Sequence, residues 1–538
     1  MNNYFINNLQ GCLLHYIFEY LKCPSYPNLG ARIRSGDLFR LMRTCNTIHK
    51  MMVTNMIKIN RFYSSVISEW SRDPIKKLNI KYVRFLFIDD IFLPTRLLHE
   101  VDGKSVLLPG ITDIYFNFDF DETLKLDVLP TSLRKIEFAP DSTFNKPLIA
   151  GIFPQGLEEL HFGKDFNQLL LPYVLPSSLT KLTFVSGSNF NNQLDENSLP
   201  ANLTYLRFGD FYNRPFKLNV LPGKIKELIL GKKFNHILFP RVLPSQLTKL
   251  KFSCFYNQTV ALELFPMSLT DLEFGDYFNK RLHVGSLPDT LTKLKFGNDF
   301  NQMMKVGLLP NTLTKLKFGK YFNKMLEVGS LPDTLTKLKF GKYFDKMLEV
   351  GSLPKNLIFL KFGDAFNQYL IPEILPMSLE CLKFGSSFNQ PLYTGVFPSN
   401  LTHLQLNHDF NQKLEIGILP VSLTYLKFGN LFNQLIEIDV LPPNLLHLQF
   451  GQNFDQGLEI GMLPTNLTYL EFGYYFNQPI KVDVLPINLV HLKFGCKFNQ
   501  RLIVGTLPSD LTYLLFHNNY KRSYKKVMPN DFIEVEFY

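Results

Sequence analysis

The sequence predicts an α+β chain in which a small helical head leads into a long solenoid of parallel strands. Two observations predict it. From Pro200 to Pro508 a Leu-Pro or Phe-Pro step returns every 22 residues without a miss, and looser copies stand at Pro109, Pro130, Pro154 and Pro176. A fixed period of this length marks one small unit stacked many times, because a single coil cannot bury its own apolar side. The first sixty residues lack the period and space their apolar residues as a helix does.

In the head, Leu9, Leu13, Leu14, Ile17, Phe18 and Leu21 follow helical spacing. A second run holds Leu38, Leu41, Met42, Cys45 and Ile48, with Ser35 and Asp37 placed to cap it. The stretch from Pro24 to Gly30 reads as a loop between them, and a third short helix is expected around Met51–Asn60. The head therefore spans 1–60. Residues 61–108 read as a degenerate first coil or capping layer, 109–516 as the solenoid, and 517–538 as a basic C-terminal cap.

The coil around Pro310 shows the unit. Leu313, Leu316 and Phe318 are apolar, and the last two alternate with Lys315 and Lys317, the pattern of a short strand with one face buried. Gly319 reads as the turn that ends the strand, Phe322-Asn323 as the return, and Leu326 as a second inward residue. Three columns are expected to hold the stack. One is a ring spine through Phe144, Phe166, Phe190, Tyr212, Phe234 and Tyr256, then Phe at every coil from Phe278 to Phe498. One is a buried asparagine ladder a residue later, with Asp345 and Asp455 as substitutes that lack the amide donors. The third is proline, which has no N–H to satisfy and suits a turn. Sugar binding by the asparagines or lipid binding by the rings is the poorer reading at so strict a period.

The unit L-P-x-S/N-L-T-x-L-x-F-G-x-x-F-N-Q, seen at Phe388-Asn389-Gln390-Pro391-Leu392 and Phe476-Asn477-Gln478-Pro479-Ile480, resembles the FNIP repeat, a relative of leucine-rich repeats. The resemblance covers about 109–516 and implies a protein-recognition surface without catalysis. The head resembles an F-box: Leu9 to Leu21 is similar to that family's opening helix, and Asp37 to Lys50 to its second half. The family's Leu-Pro opening reads Leu9-Gln10 here, and Ile48 stands where a Trp is common. This resemblance implies docking on a Skp1-type adaptor of a cullin ubiquitin ligase through Leu9, Leu13, Leu14, Ile17, Phe18, Leu21, Leu38, Leu41 and Cys45. The combination is one found in amoebae and the large DNA viruses that infect them, which implies a cytoplasmic setting, that of the host if the chain is viral. Two functions follow as expectations: the substrate-recognition subunit of such a ligase, or a binding scaffold or decoy outside any ligase. The helices can also be read as a plain cap on the solenoid's open edge.

Composition narrows the field. No apolar run reaches membrane-spanning length, and the N-terminus lacks a signal-peptide pattern. Six scattered cysteines form no metal or disulfide framework, which fits a reducing compartment. No P-loop, HExxH or nucleophile elbow occurs, and neither an enzyme nor a cofactor is expected. A net charge of +10 fits an acidic partner.

The outward strand positions are the systematic variable surface. They are basic at Lys249, Lys251, Lys293, Lys295, Lys315, Lys317, Lys337 and Lys339, with Asp271 and Glu273 as an interrupting acidic coil. Farther on, the first column becomes Phe359, His403, Tyr425, His447, Tyr469, His491 and Tyr513. These residues are the expected target-binding face. The imidazoles fall on alternate strands, too far apart to share one metal. Nucleic acid is the lesser alternative to an acidic protein, since arginine is sparse. Gly417, Asp439, Gly461 and Asp483 alternate in the same pairs of coils, so copying of a two-coil block accounts for the alternation as well as selection does.

Overall fold

The structure, a computed structural model, describes residues 112–528 and 533–538 together with the backbone of the strand Phe85–Ile88. It holds one sheet of twenty-one strands, numbered β1 to β21 in chain order. The sheet begins at β1 (Phe85–Ile88) and β2 (Asp113–Phe116) and ends at β20 (Tyr513–Phe516) and β21 (Glu534–Phe537). Every strand pairs in parallel with the next along the chain, one strand per coil, with Lys293 opposite Lys315 and Lys315 opposite Lys337. The expected α+β class is therefore corrected. Among the described residues there is no α-helix, only strands, turns and a 3-10 turn at Lys525–Val527. The helical head, with all nine of its adaptor-binding candidates, lies outside the described residues. The C-terminal segment adds strand β21 to the sheet in register with β20.

From β6 to β19 each strand is three residues long with its central residue inward, whereas β2 to β5 and β20 run to four residues and turn two inward. Leu294, Leu316 and Leu338 are buried between outward neighbours. The backbone N–H groups of Thr314 and Lys315 donate to Thr292 O of the preceding coil, and the N–H of Phe318 donates to Lys339 O of the next. Proline closes the coil by accepting: Leu313 N–H donates to Pro310 O at 3.1 Å.

The core is a double column of rings. Phe322, in the expected spine, stacks on Phe300 and Phe344 at 6.3 and 6.0 Å. A second column at the strand end runs alongside, and Phe318 lies 3.8 Å from Phe322 within the same coil. Equivalent rings of adjacent coils report the local coil spacing. It is 5.7 Å from Phe318 to Phe340 and 6.0 Å from Phe322 to Phe344, against about 4.8 Å between paired strands. The coils are thus wedge-shaped, with the narrow edge at the strands, so the sheet lines the concave side.

The asparagine ladder differs from expectation in burial and in chemistry. Its members are exposed or half-buried. The side-chain oxygen does the work: Asn301 Oδ1 accepts from the N–H of Asn323 at 3.0 Å, and Asn323 Oδ1 from the N–H of Asp345. The next glutamine donates to the same oxygen, as Gln302 does to Asn279. Because only an acceptor is needed, Asp345 and Asp455 keep the ladder intact, accepting from Asn367 and Asn477 at 3.0 and 2.8 Å.

Gly319 is needed for closeness more than for turning. A Cβ built there would lie 1.5 Å from the carbonyl oxygen of Gly297, and Gly341 meets Gly319 in the same way. The turning residue stands elsewhere, three positions before each proline, where φ lies between +59° and +87°. Gly417, Asp439, Gly461 and Asp483 all occupy it, so their alternation samples residue types that tolerate a left-handed backbone.

Three stability outcomes follow. Phe322→Ala is expected to lower stability by about 3–5 kcal/mol, read by thermal unfolding and local hydrogen exchange. Tyr256 is wholly buried in the ring spine with its hydroxyl unpartnered, so Tyr256→Phe is expected to raise stability by about 1–2 kcal/mol in the same unfolding assay. Glu263 and Glu373 sit at the left-handed position with φ of 59° and 70°, and replacing either by glycine is expected to stabilise by about 0.5–1 kcal/mol in denaturant titrations.

Candidate protein-recognition face

Because each strand alternates outward, inward, outward, the sheet presents two columns of side chains in register on its concave side. The structure places all fourteen target-face candidates in these columns. It divides the lysines, however, into two groups.

The upstream lysines are paired. Lys249 meets Glu227 at 2.8 Å, Lys251 meets Glu273 at 3.2 Å, Lys293 lies 3.7 Å from Asp271, and Lys295 also binds Glu273. Burial alone would raise the Glu273 carboxyl, but the hydrogen bond from Lys295 and the charges of Lys295 and Lys251 outweigh it and hold that pKa below the usual range. The acidic coil expected to interrupt the patch instead neutralises the strands on both sides of it. The sequence carried the signal, since partners stand 22 residues apart with opposite charge.

The downstream lysines are unpaired. Lys315, Lys317, Lys337 and Lys339 have no carboxylate partner among the described residues, and the second column continues with Lys361 and Lys383, which the sequence reading stopped short of. Partial burial pushes the Lys339 ammonium below its ordinary pKa, and the charges of Lys337, Lys317, Lys361 and Lys383 add to the shift. Phe359 lies beneath this cluster, with Lys337 and Lys339 Nζ 4.7 and 5.6 Å from its ring centre.

From His403 onward the first column is a ladder of rings. His403–Tyr425, Tyr425–His447 and His447–Tyr469 are stacked at 5.6, 4.5 and 3.9 Å, and His491 is tilted between Tyr469 and Tyr513. A tyrosine ring stands between each pair of imidazoles, and the described residues hold no cluster of three metal-ligating side chains. Beside the ladder, Glu471 accepts from Tyr469 Oη at 3.1 Å, from Gln449 Nε2, and from Lys493 at 2.9 Å. A groove of about 320 Å³ opens here. Lys427, Asn430, Gln449, Gln452, Glu471 and Tyr538 are among the residues that line it. The Tyr538 hydroxyl donates to Phe494 O at 3.0 Å while its ring covers Lys493. Burial pushes the Cys254 and Cys381 thiols up, away from the reactive thiolate form.

The sequence profile of the FNIP Repeat matches eleven segments running from 144–186 to 498–538. The chain belongs to the FNIP repeat family. Among solved structures it is similar to CroV588, described as a novel circular LRR protein, at 38% identity over 81% of this chain and 70% of that one, with a TM-score of 0.73. Two further solved structures match more distantly. YopM from Yersinia enterocolitica WA-314 is 21% identical over 74% of this chain and 82% of its own, with a TM-score of 0.43. TLR13, solved with ssRNA13, is 16% identical over 76% of this chain and 71% of its own, with a TM-score of 0.46. No curated protein matches the sequence.

The ring ladder generates a pH prediction. Burial lowers the His447 pKa below the ordinary 6.5, and the charges of Lys427 and His403 lower it further against the opposing pull of Glu471. A depressed imidazole contributes its stability above the unfolded value of 6.5 and loses it as the pH falls below that value through the lower folded one. His447 is therefore expected to titrate below 6.5 by NMR, and His447→Gln to reduce the loss of thermal stability between pH 7 and pH 5.

Proposed function

We propose that this protein is a binding scaffold, with the concave strand face as the surface that holds a target protein. The observation that carries the reading is the division of labour within each coil. Ring columns, inward leucines, the proline step, glycine contacts and the asparagine oxygen ladder occupy positions that repeat, and the two outward strand columns are where the coils differ systematically. A rigid register holds those side chains on one surface, which is what recognition by a pre-formed face requires. Leucine-rich relatives support a non-enzymatic scaffold role, and no described helix is long and apolar enough to cross a membrane.

The finer reading, in which the scaffold delivers its target to a Skp1 and cullin ubiquitin ligase, depends on residues 1–60. These lie outside the described residues, and nothing in the solenoid supports that step. The scaffold outside a ligase is therefore the function we retain.

Photocrosslinking tests it. A photoreactive residue at Tyr425, on the strand face, is expected to capture a protein partner in cells. One at Val328, exposed on the return segment of its coil, is expected to capture none. Capture at Val328 with none at Tyr425 overturns the assignment of the face.

A further inference from the structure

We propose that the unpaired lysines between Lys315 and Lys383 form a docking track for an acidic α-helical segment of the partner protein, lying along the solenoid axis over the two outward columns. The inference rests on the reading of the strand face as a recognition surface, and it adds the site and the chemistry of what binds there.

The first argument is charge. Lys315, Lys317, Lys337, Lys339, Lys361 and Lys383 stand on four consecutive strands, with in-register neighbours of like sign. Upstream, the same two columns are balanced by Glu227, Asp271 and Glu273. The downstream run has no such acid, so repulsion within it is relieved only from outside. Glu273 shows what a carboxylate does among these columns: from its own coil it bridges Lys251 on the coil before and Lys295 on the coil after. A partner's carboxylate set over the downstream lysines supplies from outside the shared counter-charge that Glu273 supplies from within.

The second argument separates an acidic peptide from a nucleic acid strand. Single-stranded nucleic acid is held by bases stacking on open aromatic faces and by arginine. Phe359 is covered by Lys337 and Lys339. Tyr321 and Tyr343 are stacked on each other at 5.2 Å, with Lys320 Nζ 4.9 Å from the Tyr321 ring centre. No arginine occurs between Pro310 and Lys383. The track offers point charges and no stacking platform.

The third argument is spacing. Successive coils place a lysine about every 4.8 Å along the axis. A helix presents residues i, i+3 and i+4 on one face at axial steps of about 4.5–6.0 Å, whereas an extended strand repeats one face only every ~6.7 Å. The helix meshes with the coils over the track from Lys317 to Lys383. Three coil steps of about 14 Å correspond to about ten helical residues. The two columns stand two residues apart along each strand, about 6.7 Å, narrower than a helix of about 10 Å diameter, so the helix rides over both columns and meets their ammonium ends.

The test uses the full chain and three fluorescent probes in anisotropy titrations. One is a fourteen-residue alanine-based helical peptide with glutamates along one face. One has the same composition but is broken by two prolines, and one is a fifteen-nucleotide oligo-dT. The helical peptide is expected to bind at least 10-fold more tightly than either, and to weaken at least 10-fold between 50 and 300 mM salt. Lys317→Gln/Lys339→Gln/Lys361→Gln is expected to weaken it at least 30-fold. The upstream triple Lys251→Gln/Lys293→Gln/Lys295→Gln removes the same charge and is expected to change it less than 3-fold. Circular dichroism checks that both variants fold, with a Lys-to-Ala set in reserve. Equal weakening by the two triples reduces the effect to net charge and overturns the proposal, as does tighter binding of the broken peptide or of oligo-dT. If Tyr425 still captures a partner while the helical peptide fails to bind, the scaffold reading stands and the lysine track alone falls.

Discussion

A backbone-on-backbone contact sets the whole molecule. At the glycine that follows most of the strands, successive coils approach so closely that a single added carbon at Gly319 would fall 1.5 Å from the Gly297 oxygen, and Ser253 and Asn407 stand at the same place in two of the coils. Between glycine coils no side chain acts as a spacer, so they meet at strand spacing on this edge and widen toward the ring spine. The concave sheet is a consequence of that wedge. So is the register, because a coil that must seat one backbone on another has no freedom to slip. The asparagine oxygens then tie the return segments at the same period, as from Asn301 to Asn323.

Much of this was legible in the sequence, and the illegible part has a definite cause. The period, the parallel strands, the ring spine and the outward columns can all be read from Leu, Phe, Pro and Lys at fixed offsets. Gly319 was read as a turn signal because glycine's two uses, positive φ and close approach, look alike in a sequence. Only the backbone geometry separates Gly319 from Gly329, which does adopt a positive φ. The asparagine ladder was read as buried because a strict repeat suggests a core. The substitutions at Asp345 and Asp455 already pointed to an acceptor at a solvent-accessible site. The outward register of the face columns is legible in the sequence, whereas the pairing of Lys249 with Glu227 shows only when residues 22 apart are set side by side. The α-helical spacing of the head led to an α+β class that the described residues do not bear.

Stacking in register also governs the electrostatics of the face. In a globular domain a lysine is surrounded by unrelated residues, and charges of both signs average out. Here a residue at an outward position faces its own counterpart in the coils on each side, so composition is amplified along the column. When an acidic coil enters, its carboxylates serve the strands on both sides, as Glu273 serves Lys251 and Lys295. When nearly identical lysine coils follow one another, every new coil adds to the repulsion already present, and at Lys339 that repulsion adds to the burial that already lowers its pKa.

The same amplification explains why the ring ladder is tolerated where the lysine run is strained. Neutral imidazole and phenol rings on adjacent strands gain from facing each other, as His447 and Tyr469 do at 3.9 Å, and they cover one another from water. Repetition of an aromatic column therefore stabilises the face, whereas repetition of a cationic one leaves it in need of counter-charge. Block copying accounts for how either column arose, but it does not make them physically equivalent. Among the described strand columns, the lysine run from Lys315 to Lys383 leaves its charges unpaired, whereas the rings of the ladder already face one another.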